Sequence, residues 1–147
     1  MLIITNEKLG PALVDVKNRT DIRDLLLESI NEYIFEQAKK TIVRSIPQTV
    51  FHVSGLSEYH HQRLRDYLNH LILQDHSDKA NLKTGTFAGF PTNHYWLSIG
   101  DLILDVTIKQ FADKPINLHE NIKQDLDKYC FLSDNTDNYI YKLYQSI

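Results

Sequence analysis

His94 and Asp105 stand near the two ends of "NHYWLSIGDLILDVTIKQF", and residues of these types can form a general base. A carboxylate that accepts a hydrogen bond from one imidazole nitrogen fixes the ring tautomer and raises the basicity of the other nitrogen. Whether the two can meet depends on the chain between them. The runs "NHYWLSI" and "LILDVTI" flank Gly100-Asp101, a Gly-X pair suited to a two-residue hairpin loop. That loop predicts Ile99 opposite Leu102, Leu97 opposite Leu104, Trp96 opposite Asp105 and His94 opposite Thr107. Because side chains alternate along a strand, His94, Trp96 and Ser98 then share a face with Ile103, Asp105 and Thr107. His94 and Asp105 become diagonal neighbours, on the order of 7 Å apart at Cα. The other face, with Tyr95, Leu97, Ile99, Leu102, Leu104 and Val106, is a core face. A change of one residue in the loop would separate the pair, and an exposed polar pair on a half-solvated sheet is the competing expectation.

Other reactive side chains are sparser. Cys130 is the only cysteine, so no intrachain disulfide can form, in keeping with a reducing compartment. Its expected place at the end of a helix reading "LHENIKQDLDKY" disfavours a thiolate, and a buried structural cysteine is the simpler expectation. His60 and His61 are adjacent and point about 100° apart on a helix, which makes them helix-surface histidines. Neither the Cys-x-x-Cys nor the His-Glu-x-x-His spacing of zinc sites occurs, so no metal is expected. Ser54 and Ser57 precede or open a helix, where N-capping is their ordinary role. No phosphate-cradling glycine loop and no basic aromatic strip is present, so neither a cofactor nor nucleic acid is expected.

The elements that must position these residues emerge from periodicity. From Thr20 to about Arg44, Ile22, Leu25, Leu26, Ile30, Tyr33, Ile34, Ala38 and Ile42 recur at helical spacing, and Pro47 ends the run. "TVFHV", Thr49 to Val53, predicts a short strand. A second helix, about Ser57 to Gln74, places Leu56, Tyr59, Leu64, Tyr67, Leu68 and Leu71 on one face. "LKTGTFAGF" predicts a strand broken by glycines, before the hairpin. Asn117 or a neighbour then caps a helix, and Ser133 or Asp134 caps a last one through "NYIYKLYQSI", whose tyrosines form a packing face. Helices, a short antiparallel sheet, then helices argue α+β. At 147 residues, with 42% hydrophobic and 24% charged side chains, the chain is the size of one domain, so residues 1–147 are read as a single unit. A net charge of −3 and a pI near 6.1 supply no general attraction to nucleic acid or an anionic membrane. With no run of 18 apolar residues and no secretory leader, a cytoplasmic location is expected.

The hairpin, with "TGTFAGF" shortly before it, resembles the His-x-Trp, then Asp-x-Thr-x-x-Gln-Phe signature of papain-like and transglutaminase-like bacterial and phage proteins. The match spans Thr84 to Phe111 and extends loosely back to the helix at Ser57. It implies a papain-like or transglutaminase-like α+β fold, a protein or peptide substrate or partner, His94 as base and Asp105 as its orienting residue. Thr107, Gln110 and Phe111 are motif residues to which it gives no role. It also implies a cysteine nucleophile at the start of the upstream helix, where this chain reads "FHVSGLSEYHHQRL". Ser54 is the nearest substitute and Ser57 the next. Serine needs full general-base help where cysteine is already partly thiolate. Three readings therefore stand: a serine enzyme with acyl-transfer or amide hydrolase chemistry, a pseudoenzyme that binds as an effector or toxin-related module, or a chain whose nucleophile has been replaced. The order His94, Asp105, Gln124, Cys130 is also similar to that of the adenovirus-protease and SUMO-protease group. That similarity implies a cysteine protease using Cys130 with Gln124 at the oxyanion, although "QDLDKYCFL" lacks the group's Asp-Cys-Gly environment.

Overall fold

A computed structural model describes residues 2–6, 10–43 and 57–147 of the chain. It is an α+β structure built on one seven-stranded mixed sheet. In chain order the elements are β1 (Leu2–Asn6), β2 (Gly10–Asp15), α1 (Thr20–Val43), α2 (Ser57–Tyr67), β3 (Ala80–Phe87), β4 (His94–Ile99), β5 (Leu102–Asp105), α3 (Glu120–Asp125), β6 (Cys130–Ser133) and β7 (Tyr144–Ser146). In space the strands run β1-β2-β6-β5-β4-β3-β7. Only β2 and β6 pair in parallel; the other neighbours are antiparallel.

The hairpin has the expected register, with Ile99 opposite Leu102 and Leu97 opposite Leu104. Gly100 turns the chain at φ 58°, a left-handed conformation that disfavours a β-carbon. Both sheet faces are covered, which is why the central strands "LILD" and "CFLS" are buried at every position. Buried on both sides, such strands read as near-continuous apolar runs. One face carries Val14, Leu97, Leu104 and Leu132 against Ile22, Leu26 and Ile30 of α1 and Leu64 of α2. The opposite face carries Leu13, Phe87, Trp96 and Phe131 against Phe111, Leu126 and Ile140. The face that holds His94 and Asp105 is therefore a second core.

Several expected elements take other forms. On α1, whose span Thr20–Val43 matches the expected helix, Leu25 is exposed at the rim of a face that buries Ile22, Leu26, Ile30 and Tyr33. α2 gives way to a π-helical turn at Leu68–Ile72, closed by the Leu73 N–H on the Leu68 carbonyl. An i→i+5 turn holds an extra residue and rotates the chain beyond it, so Leu73 is buried and Leu71 lies on the surface. The segment "CFLS" is strand β6 rather than the end of a helix, and α3 is only Glu120–Asp125, capped by His119. Asp134 caps no final helix. Its carboxylate instead accepts the backbone N–H groups of Lys17, Asn18 and Arg19, tying the entry of α1 to the end of β6. The expected strand at Thr49–Val53 lies outside the described residues. No helix among the described residues is long and apolar enough to cross a membrane.

The tyrosine-rich tail forms a single 3-10 turn at Tyr141–Leu143 and then β7, which adds to the edge of β3. The Tyr141 hydroxyl donates to the Asp101 carbonyl in the hairpin loop at 2.6 Å, and the Ile147 N–H donates to the Thr84 carbonyl at 3.0 Å. This edge closes over Gly85, which pairs with His94 on one side and Ser146 on the other. A β-carbon there would collide with the Gln145 carbonyl oxygen. Gly85→Ala should therefore detach β7 at a cost of about 1–3 kcal/mol, read as a lower urea midpoint and lost hydrogen-exchange protection at Ile147. An unchanged midpoint with Ile147 still protected would show that β7 can shift without cost.

Candidate functional site

Asp105 closes β5 with its carboxylate wholly removed from solvent. A bare carboxylate in such a place is strongly unfavourable, so its hydrogen bonds decide whether it can be ionised. Oδ2 accepts from His94 Nε2 and from the Tyr144 hydroxyl, each at 2.7 Å. Oδ1 accepts from the Thr107 N–H at 2.8 Å and the Thr107 hydroxyl at 3.0 Å. These four donors fill the roughly four lone-pair positions of a carboxylate. Burial pushes the carboxyl up, but the charge and hydrogen bond of His94, helped by His61 and Tyr144, outweigh it and hold Asp105 at about 2. Asp105 stays ionised and has no acceptor capacity to spare.

His94 opens β4, and the expected diagonal contact with Asp105 is present. Since the carboxylate only accepts, Nε2 carries the proton of that bond and Nδ1 is the nitrogen left to act as a base. The imidazole is walled by rings. Phe111 lies edge-on with centroids 4.8 Å apart, Trp96 at 5.8 Å, and Phe87 and Tyr144 each at 6.1 Å. The residue is 1% exposed. Among the described residues, no serine or cysteine is hydrogen-bonded to it.

His61 is the member that sequence reasoning placed on a helix surface. It and His60 are both buried, at 0% and 1% exposure. The Nδ1 of His61 is 2.8 Å from the Ser57 carbonyl, which can only accept, so Nδ1 carries the hydrogen; Nε2 accepts the Val106 N–H at 3.1 Å. That pairing defines a neutral imidazole. The 3.5 Å approach of Nε2 to Asp105 Oδ1 is therefore a lone pair facing a carboxylate and becomes an ion pair only on protonation. Burial lowers His61 to about 4, with the Asp105 charge opposing in part. The effect is structural as well: the ring ties the first turn of α2 to the end of β5. Its centroid lies 6.4 Å from that of His94.

Ser54 lies outside the described residues. The other expected site residues separate. Ser57 is buried as the first residue of α2, and its carbonyl is taken by His61. Cys130 does not join the pair. Strand alternation puts it in the cluster packed on α1 and α2, whereas its neighbour Phe131, which pairs with Asp105, faces the other core. Burial and the Asp105 charge push the thiol far up, and Gln124 is exposed on α3. The arrangement of Cys130 with His94, Asp105 and Gln124 is thus excluded by the pleat of the sheet: sequence order brings the residues near one another, but the thiol points away.

Tyr144 and His61 escape the sequence reading, one because a tyrosine at helical spacing reads as packing, the other because adjacent histidines read as surface. Thr107 carried a usable signal, since a threonine two residues after an aspartate favours the local turn that folds both donors onto the carboxylate. Phe111 supplies the nearest ring to His94. The Gln110 amide nitrogen is buried without a hydrogen-bond partner among the described residues. No protein-family model matches the chain, and neither a curated protein nor a solved structure is significantly similar to it.

Proposed function

We propose that this chain carries an acyl-transfer or amide hydrolase site of papain-like or transglutaminase-like arrangement, acting on a peptide or a glutamine-like amide. His94 is the base, Asp105 orients it, and Ser54 occupies the nucleophile position. The observation that supports this reading is the His94–Asp105 bond, in which the carboxylate fixes Nε2 as the donor and leaves Nδ1 to take a proton. The approach of the first turn of α2 through His61 gives further support, since Ser54 lies three residues before that turn. In the reaction, Ser54 Oγ bonds to the acyl carbon while its proton passes to His94 Nδ1. The departing amine takes that proton as the C–N bond breaks. Water then attacks the acyl-serine, giving its proton to Nδ1 and releasing the acid as Ser54 recovers a proton. Asp105 stabilises the imidazolium throughout and is not itself protonated.

A second reading, a binding module without chemistry, is favoured by the 1% exposure of His94 inside its ring of aromatic side chains. Labelling separates the two. The intact chain is treated with a fluorophosphonate and the Ser54→Cys variant with a vinyl sulfone, and the modified peptide is found by mass spectrometry. The enzyme reading expects modification at position 54, slowed at least ~100-fold in His94→Ala, the scale of general-base help. No labelling in either form, or equal labelling without His94, overturns it in favour of the binding module.

A further inference from the structure

Tyr144 brings the far edge of the sheet onto the His94–Asp105 pair. Its hydroxyl donates to Asp105 Oδ2 at 2.7 Å, the same oxygen and the same distance as the bond from His94 Nε2. Thr107 holds Oδ1 with two further donors, so the carboxylate cannot rotate to relieve the sharing. The ring alone is accounted for by packing, edge-on to Phe87 at 4.9 Å and Trp96 at 5.1 Å and stacked on Phe131 at 5.8 Å. Phenylalanine would make every one of those contacts. The hydroxyl is placed by a strand that pairs with β3 at only three positions and passes so close that its neighbour must be Gly85.

We infer that Tyr144 is a positioning residue for His94, its hydroxyl setting how strongly His94 Nδ1 holds a proton by sharing Oδ2 of Asp105. Two donors on one oxygen each draw on its charge, so each weakens the other's bond. Without the hydroxyl, Oδ2 attracts the imidazolium more strongly and His94 binds a proton more tightly. Among the described residues, the titratable groups packed around His94 are Asp105 from β5, His61 from α2 and Tyr144 from β7. Phe87 from β3, Trp96 from β4 and Phe111 after β5 carry no charge. Cys130 faces the opposite core. This role rests on the reading of His94 as the base.

The test follows the histidine ring nitrogens by two-dimensional proton–nitrogen NMR across pH, in the native chain, in Tyr144→Phe, and with 3-fluorotyrosine at position 144. Loss of the hydroxyl should raise the His94 midpoint by about half a unit or more, and the stronger fluorophenol donor should lower it. The acid limb of fluorophosphonate labelling should move in the same two directions. A midpoint unmoved by either change, or moved in the opposite sense, overturns the inference. The fluorinated form decides the matter if the phenylalanine variant does not fold. Absence of labelling in all forms would remove the acyl-transfer reading, while the NMR midpoints would still test the sharing of Oδ2.

Discussion

Replacing Asp105 with asparagine is expected to destabilise the chain by roughly 3–5 kcal/mol, the scale for removing one partner of a buried charged pair. The amide keeps the shape of the carboxylate but turns one acceptor into a donor. In one orientation its NH2 meets the Tyr144 hydroxyl and His94 Nε2; in the other it meets both donors of Thr107. In the first orientation His94 must move its proton to Nδ1 and the Tyr144 hydroxyl must turn to accept; in the second the Thr107 N–H is left facing a donor, in a site with no solvent to satisfy it. Urea unfolding checks the magnitude. Thr107→Val offers a graded comparison: it removes only the hydroxyl bond and should cost about 1 kcal/mol. If Asp105→Asn unfolds at the native midpoint, the carboxylate is not what holds this end of the sheet together. The same variant should also abolish fluorophosphonate labelling, because His94 loses the group that fixes its tautomer.

The second large effect is on acid stability, and His61 dominates it. Its folded-state value is lowered from the ordinary 6.5 to about 4, so between those limits the unfolded chain binds a proton that the folded chain refuses. Stability from this source is complete above pH 6.5 and is lost as pH falls toward 4, by roughly 3 kcal/mol at 1.36 kcal/mol per unit. The refusal has a structural cause, since protonating Nε2 breaks its bond to the Val106 N–H. Asp105 adds a separate loss at lower pH. Held at about 2 against an ordinary 3.8, it stabilises the fold above its unfolded value and ceases to do so as pH falls through that interval. Denaturant midpoints measured from about pH 7.5 to 4, the window that brackets the His61 titration, should decline in the native chain and flatten in His61→Gln. A slope unchanged by that substitution would assign the titration to another group.

Much of this fold is legible in local pattern. The spacing of Ile22, Leu26, Ile30 and Tyr33 predicts α1, and alternation around Gly100-Asp101 predicts the β4–β5 hairpin and its register. From that register alone His94 and Asp105 belong on one face, because a two-residue loop leaves the pleat no other choice. The competing expectation, an exposed polar pair on a half-solvated sheet, did not hold, because that side of the hairpin is a second core. The tail went the same way. Tyr139, Ile140, Leu143 and Tyr144 fit a helical period, yet the segment turns once and adds to β3. An open strand edge and a buried carboxylate in need of a donor outweigh a propensity worth tenths of a kcal/mol per residue.

The sequence by itself determined the hairpin, the helix before it and the identity of the histidine–aspartate pair, because each depends on residues close together in the chain. Only the tertiary structure decided which groups surround that pair. His61 arrives 44 residues before Asp105 and Tyr144 39 residues after it, and nothing in the spacing of either records the other. The same long-range order turned Cys130 to the opposite core, where sequence order alone had made it a candidate partner for His94. Burial is the physical reason for both outcomes. A carboxylate without solvent must gather its donors from wherever the sheet brings them, and a thiol on the wrong side of the pleat cannot be one of its partners.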